Sequence, residues 1–177
     1  FNIGIKKAIG RYLWFLNSGD TFSNEIDVNV FLNNILNFNG SMLIYKTKIY
    51  SLLLKKKIGE QPICFPRNII IYKLLYSILP FAFGFCHQST IIKRDFHLEN
   101  LYKFPNMIGQ DSNLIEKVIR SGDFKLLNKN LSNFYMGGIS SSIPKTKKIF
   151  IKILKDRLKN WQLRSSISLI IKNYFFR

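Results

Sequence analysis

Acidic residues are scarce in this chain. Only 10 Asp and Glu stand against 27 Lys and Arg, a formal net charge of +17 over 177 residues. A surplus of that size calls for an anionic partner, whether phosphate, nucleic acid or a lipid surface. Cysteine is nearly absent: Cys64 and Cys86 stand alone, without metal-ligand spacing, so free thiols in a reducing compartment are the expectation. The most apolar helical run, Ile69 to Leu79, is too short to cross a bilayer and reads as a buried or membrane-facing helix ended by Pro80. No stretch has the basic, apolar and small-residue order of a signal peptide, and no segment repeats. The chain begins at Phe1 without a methionine, and the expectation is that an amino-terminal part is missing.

What the chain does have is apolar mass. Apolar residues make up 47% of it, enough for one globular domain with a real core. Its charge is uneven. From Lys145 to Arg177 ten Lys and Arg face one acid, Asp156, so this segment supplies +9 of the total. Within it Phe150, Leu154, Leu158 and Trp161 share one helical face, and Lys148, Lys152, Lys155 and Lys159 the opposite one. That pattern suits a helix lying in a membrane interface and equally an ordinary surface helix packed on the domain. The expected division is a body over 1–143 and a basic amphipathic helical tail over 144–177.

Within the body, Tyr12 to Leu16 is an unbroken apolar and aromatic run, the composition of a strand buried on both faces. It stops at Asn17, Ser18, Gly19 and Asp20, four turn-forming residues ending in a carboxylate. Asn2 to Gly10 before it reads as a short helix closed by a glycine. After it, Ser23 or Asn24 is the expected cap of a helix carrying Val28, Phe31, Leu32 and Ile35. Met42 to Tyr45 and Ile49 to Leu54 read as two strands separated by the polar step Lys46-Thr47-Lys48, with an exposed turn over Lys55 to Gly59. Cys86-His87-Gln88-Ser89-Thr90 crowds hydrogen-bonding side chains before Ile91 and Ile92, and Ser89 to Arg94 reads as a strand. Asp111 is placed to cap a helix with the stripe Leu114, Ile115, Val118 and Ile119, ended by Gly122. Phe124 to Leu127 and Leu131 to Met136 read as strands leading to Gly137 and Gly138.

The first of these runs resembles the family 2 glycosyltransferases. The matching residues are Asn2, Gly4, Ile5, Ala8, Gly10, Tyr12, Leu16, Asn17, Gly19 and Asp20. The Cys-His-Gln-Ser segment is similar to the entry of a strand beside the acceptor site in bacterial surface-polysaccharide glycosyltransferases of the colanic-acid type. The resemblance implies an α/β fold of the GT-A type, a Rossmann-like mixed sheet flanked by helices, truncated at the amino terminus. The missing part would carry the first strands and most nucleotide contacts.

It further implies that Asp20 binds a divalent metal, Mg or Mn, as the retained carboxylate of an Asp-x-Asp-type motif in which Asn17 replaces the other. Asn17, Ser18, Gly19, His87, Gln88, Gly137 and Gly138 would contact substrate, and Asp111 would be the base. The implied reaction moves a sugar from a nucleotide-diphosphate donor to a lipid-linked or polysaccharide acceptor in cell-surface polysaccharide biosynthesis. The implied place is the cytoplasmic, inner face of the cell membrane. Two other readings are a non-catalytic, membrane-associated remnant of such an enzyme and a basic nucleic-acid-binding module. The second is disfavoured because the basic residues concentrate in the tail without a nucleic-acid motif, so no nucleic-acid partner is expected.

Overall fold

The structure, a computed structural model, describes residues 1–52, 54–62, 66, 68–78, 84–102 and 110–136. All of them belong to the first of two compact units, Phe1–Met136. The tail, the Gly137 and Gly138 pair and Cys64 lie outside the described residues.

The unit is a mixed α/β structure. Its centre is the long strand β3 (Met42–Ser51), whose first four residues are all buried. On one side β3 runs parallel to β6 (Phe124–Met136) along its whole length. On the other side its first half pairs antiparallel with β5 (Thr90–Lys93) and its second half with β4 (Lys56–Gln61). The short strands β1 (Tyr12–Trp14) and β2 (Thr21–Phe22) close the two ends, giving the order β1-β5-β3-β6-β2.

Burial on both faces explains why β3 reads as Met-Leu-Ile-Tyr, without alternation. Met42 and Ile44 face a core shared with Tyr72 and Tyr76 of α3 (Ile69–Ile78) and with Leu114, Ile115, Val118 and Ile119 of α5 (Gln110–Ser121). Leu43 and Tyr45 face the opposite core, with Ile26, Leu131 and Phe31 of α2 (Val28–Leu36). The α5 stripe is the one expected from spacing. Gly122 ends that helix with φ +82°, and a Cβ there would stand 2.7 Å from the Lys73 amine.

Several boundaries differ from expectation. The polar step Lys46-Thr47-Lys48 does not divide two strands: β3 runs through it, because Thr47 is fully buried and its hydroxyl donates to Ser89 Oγ at 2.7 Å. The Ser89 hydroxyl in turn donates to the Lys46 carbonyl (2.9 Å) and meets Ser132 Oγ at 2.6 Å. Likewise Phe124 to Met136 is one strand, with the irregularity falling where the partner of Lys46 jumps to Asn130. The turn expected over Lys55 to Gly59 comes earlier: β3 ends at Ser51 and not at Leu54, Leu52, Leu54 and Lys55 form the turn, Lys55 with φ +49°, and β4 begins at Lys56.

The cap of α2 is Asp27, whose carboxylate accepts from the amides of Asn29 and Val30. Neither Ser23 nor Asn24, the two expected caps, serves: Ser23 is buried, and its amide joins the Leu131 carbonyl at 2.8 Å. The first helix, α1 (Asn2–Lys7), ends at an extended Ala8, so Gly10 does not close it. β1 is an edge strand of the described sheet and not fully covered: Leu13 is buried, while Tyr12 and Trp14 are half-buried. Asp111 lies in the first turn of α5 as its second residue, two positions inside the expected cap position.

Candidate functional site

Strand register brings the sequence landmarks together. Trp14 pairs with Ile91 in the antiparallel β1–β5 ladder. This antiparallel pairing puts the end of β1, which leads to Asn17, beside the start of β5, which follows Gln88 and Ser89. The segment His87–Ser89 forms a single 3₁₀ turn at the mouth of β5. Three bonds hold it: Ser89 N–H to the Cys86 carbonyl (3.0 Å), Thr90 Oγ1 to the His87 carbonyl (2.9 Å) and Trp14 Nε1 to the Gln88 carbonyl (2.7 Å).

Across from it, Asn17 to Asp20 makes a tight turn closed by the Asp20 amide on the Asn17 carbonyl at 3.1 Å. Its third residue, Gly19, has φ +90°, a conformation that position demands in a type II turn and that side chains resist. The turn delivers Asp20 into the groove between the 3₁₀ turn and β6. There one carboxylate oxygen accepts from Gln88 Nε2 at 3.0 Å, and the other accepts from the Tyr135 amide at 3.0 Å. Gln88 is buried, whereas Asp20 and Asn17 are half-buried and Ser18 and Gly19 form the exposed tip.

His87 lies between the turn and α5. Its Nδ1 is 2.9 Å from Asp111 Oδ2, and its Nε2 is 3.3 Å from Asn17 Oδ1. When the imidazole is neutral, Nδ1–H donates to Asp111 and Nε2 is left with a lone pair. Asp111 at the helix start meets the positive end of the α5 dipole, which favours the carboxylate. The structure thus gathers Asn17, Asp20, His87, Gln88 and Asp111 around one end of β5.

Other residues frame this place that sequence reasoning did not single out for it. Phe1 packs edge-on against both Phe15 and His87, with ring centroids 4.9 and 5.8 Å away. The Asn2 side chain clamps the Tyr102 backbone by two bonds, Nδ2 to its carbonyl (2.8 Å) and its amide to Oδ1 (3.0 Å). Burial, and secondarily the Asp111 charge, pushes the Tyr102 phenol upward, so it stays a donor. His97, on α4 (Arg94–Glu99), is buried, and burial pulls its imidazole down to about 4. The Tyr135 contact uses a main-chain amide and leaves no trace in residue type.

Among the described residues no group of three or more His, Cys, Asp or Glu is placed to share a metal ion. Magnesium-type ions do not require one, since they commonly take one or two carboxylates and complete their shell with substrate phosphate oxygens and water. Asp20 fits one such position, because its two hydrogen bonds leave about half of its acceptor capacity open. A larger hollow, about 320 Å³, opens between β1 and α2 among Tyr12, Trp14, Phe31, Ile35 and Leu36, with Arg11 at its edge. It is apolar and holds no carboxylate or histidine. No protein-family model and no curated protein matches this chain.

Proposed function

We propose that the protein is a GT-A-type glycosyltransferase that transfers a sugar from a nucleotide-diphosphate donor to a lipid-linked or polysaccharide acceptor. The observation that carries this reading is the meeting of Asn17, Asp20, His87, Gln88 and Asp111 at one end of β5, from three segments far apart in sequence. Each chemical need of the reaction has a candidate group there. A divalent Mg or Mn ion held by Asp20 would neutralise the leaving diphosphate. Gln88 fixes the Asp20 carboxylate from one side and the Tyr135 amide fixes it from the other.

The His87–Asp111 pair takes the proton of the attacking hydroxyl, with Asp111 as the base and His87 orienting it through the 2.9 Å contact. Attack opposite the leaving group inverts the sugar carbon. Ser18 and Gly19, at the exposed tip, meet the donor. Gly137 and Gly138 enter this proposal from sequence alone.

A membrane-surface partner, on the cytoplasmic side, has two supports. One is the tail's opposed basic and apolar faces. The other is α3, which buries Tyr72 and Tyr76 but exposes Ile70 (73%), Ile71 (50%) and Leu74 (59%). Among the described residues no helix is long and apolar enough to cross a membrane.

One observation favours a competing, non-catalytic reading. Both Asp20 oxygens already tie the turn to the sheet, which is sufficient reason for a carboxylate there. Asp20→Asn separates the two. Nucleoside-diphosphate release from a panel of nucleotide sugars, with Mn or Mg and a lipid-linked acceptor extract, should be lost in Asp20→Asn while the circular dichroism spectrum is unchanged. Equal turnover by the variant at saturating metal would overturn the metal role. A collapse of the fold would assign Asp20 to structure.

A further inference from the structure

Behind the His87–Asp111 pair lies a small pocket that the proposed reaction does not use. It leaves about 10 Å³ to the centre of a water-sized sphere, the space of one molecule. Its polar walls are His87, Thr90, His97, Tyr102 and Asp111. His97 is 1% exposed, and neither of its ring nitrogens has a hydrogen-bonding partner among the described residues. A buried imidazole with both nitrogens unsatisfied is costly, and buried polar groups are as a rule paired with protein or with ordered water. A water requires two to four polar partners, and the walls of this pocket supply them.

We infer that this pocket is a site for one ordered water, held by His97 and passed to Asp111, which makes His97 a positioning residue for the His87–Asp111 pair. The water donates one hydrogen to the bare nitrogen of neutral His97 and the other to the carboxylate. Asp111 is then held by His87 on one side and by the water on the other, which restricts the rotation that would break the 2.9 Å contact. Edge-on packing of Phe15 against the His97 ring at 5.6 Å keeps the imidazole aligned. The positioning role rests on the proposed reaction; the water site does not.

The test uses the full chain and needs no turnover. Water-to-protein nuclear Overhauser spectra should show a long-lived water beside the His97 ring protons. The His87 Nδ1–H signal should be protected from exchange. In His97→Phe the water contact should vanish, and protection of the His87 proton should drop about fivefold, the size of one hydrogen bond. His97→Gln, which keeps a polar tip, should restore both. A wild-type pocket without a resident water overturns the site. Equal His87 protection in wild type and His97→Phe overturns the positioning role. Should His97→Phe not fold, the wild-type spectra decide both: an absent water overturns the site, and a His87 Nδ1–H that exchanges as fast as that of a free imidazole overturns the role. Because none of these readings depends on sugar transfer, their failure is distinct from failure of the transferase proposal.

Discussion

Acidification should weaken this protein through His97 in a way one substitution can isolate. The imidazole is 1% exposed, and burial pulls it to about 4, against an ordinary value of 6.5. In the unfolded chain it binds a proton from about pH 6.5 downward, whereas in the folded protein it resists until about pH 4. The unfolded state therefore holds more protons across that window, and stability falls as pH falls through it. The contribution is fully present above pH 6.5 and lost by pH 4. The difference of about 2.5 pH units corresponds to about 3 kcal/mol, a large share of a typical domain's stability.

Urea unfolding followed by Trp14 fluorescence, with Trp161 replaced by Phe, reports on this unit. His97→Phe keeps an aromatic ring against Phe15 and removes the titration. Between pH 7 and pH 4 the parent should lose about 3 kcal/mol more than the variant. Other titrations do not confound the comparison. The Glu25 and Glu60 carboxyls are held below their ordinary range, chiefly by hydrogen bonds from Lys48 and from Lys57 respectively. Their contributions are present above the ordinary carboxylate range and fade as pH falls, but they are common to both proteins. Parallel pH profiles for parent and variant would refute the assignment of this acid sensitivity to His97.

The remaining predictions concern other parts of the molecule. Asp111→Asn should lower the rate of sugar transfer by about 10²-fold or more with donor binding nearly unchanged, as isothermal titration and initial rates together would show. If Asp111 only serves the helix start, the variant should stay active, because the dipole interaction alone is worth about 1 kcal/mol or less. Ser89→Ala should destabilise the unit by about 3 kcal/mol in denaturant titration, since it strands the buried hydroxyls of Thr47 and Ser132 that Ser89 Oγ accepts from. A chain ending at Pro144 should bind anionic vesicles far less than the full chain in sedimentation. It loses nine net positive charges at about 1 kcal/mol each near such a surface, and equal binding by the two would show the tail to be an ordinary packed helix.

Where side-chain type and period agreed, the fold was legible. The α5 stripe and its terminating Gly122 follow directly from 3.6-residue spacing and a positive φ. The strands β3 and β6 were harder, because each carries polar residues in mid-course. Lys46-Thr47-Lys48 looked like a break, yet Thr47 is fully buried against Ser89, and that partner is 42 residues away. A residue's polarity does not reveal whether its hydrogen bond is met by water or by a distant hydroxyl. The α2 boundary failed for a related reason: Ser23, Asn24 and Asp27 are all good caps, and the choice among them fell to β2, whose pairing with β6 draws Ser23 into the sheet.

The candidate site shows the same division between what residue type reveals and what pairing reveals. Asp20, His87 and Asp111 were legible as chemistry-bearing residues, but their proximity depends on the antiparallel β1–β5 pairing, which puts the end of β1 beside the start of β5. The residues that hold the site were illegible for physical reasons. The Tyr135 contact uses a backbone amide, Asn2 acts on Tyr102 from 100 residues away, and His97 looks like any lone histidine until its burial is known. These supports also bear on how substitutions at the site should be interpreted. Asp20 is bonded to Gln88, Gln88 is fixed by Trp14 through its carbonyl, and His87 precedes Gln88 in the same 3₁₀ turn. Removing any one group loosens the others, so losses on substituting Asp20 and His87 singly should sum to more than the loss in the double variant. Strict additivity would mean the two halves of the site act independently, and it would argue against a single reaction centre at the end of β5.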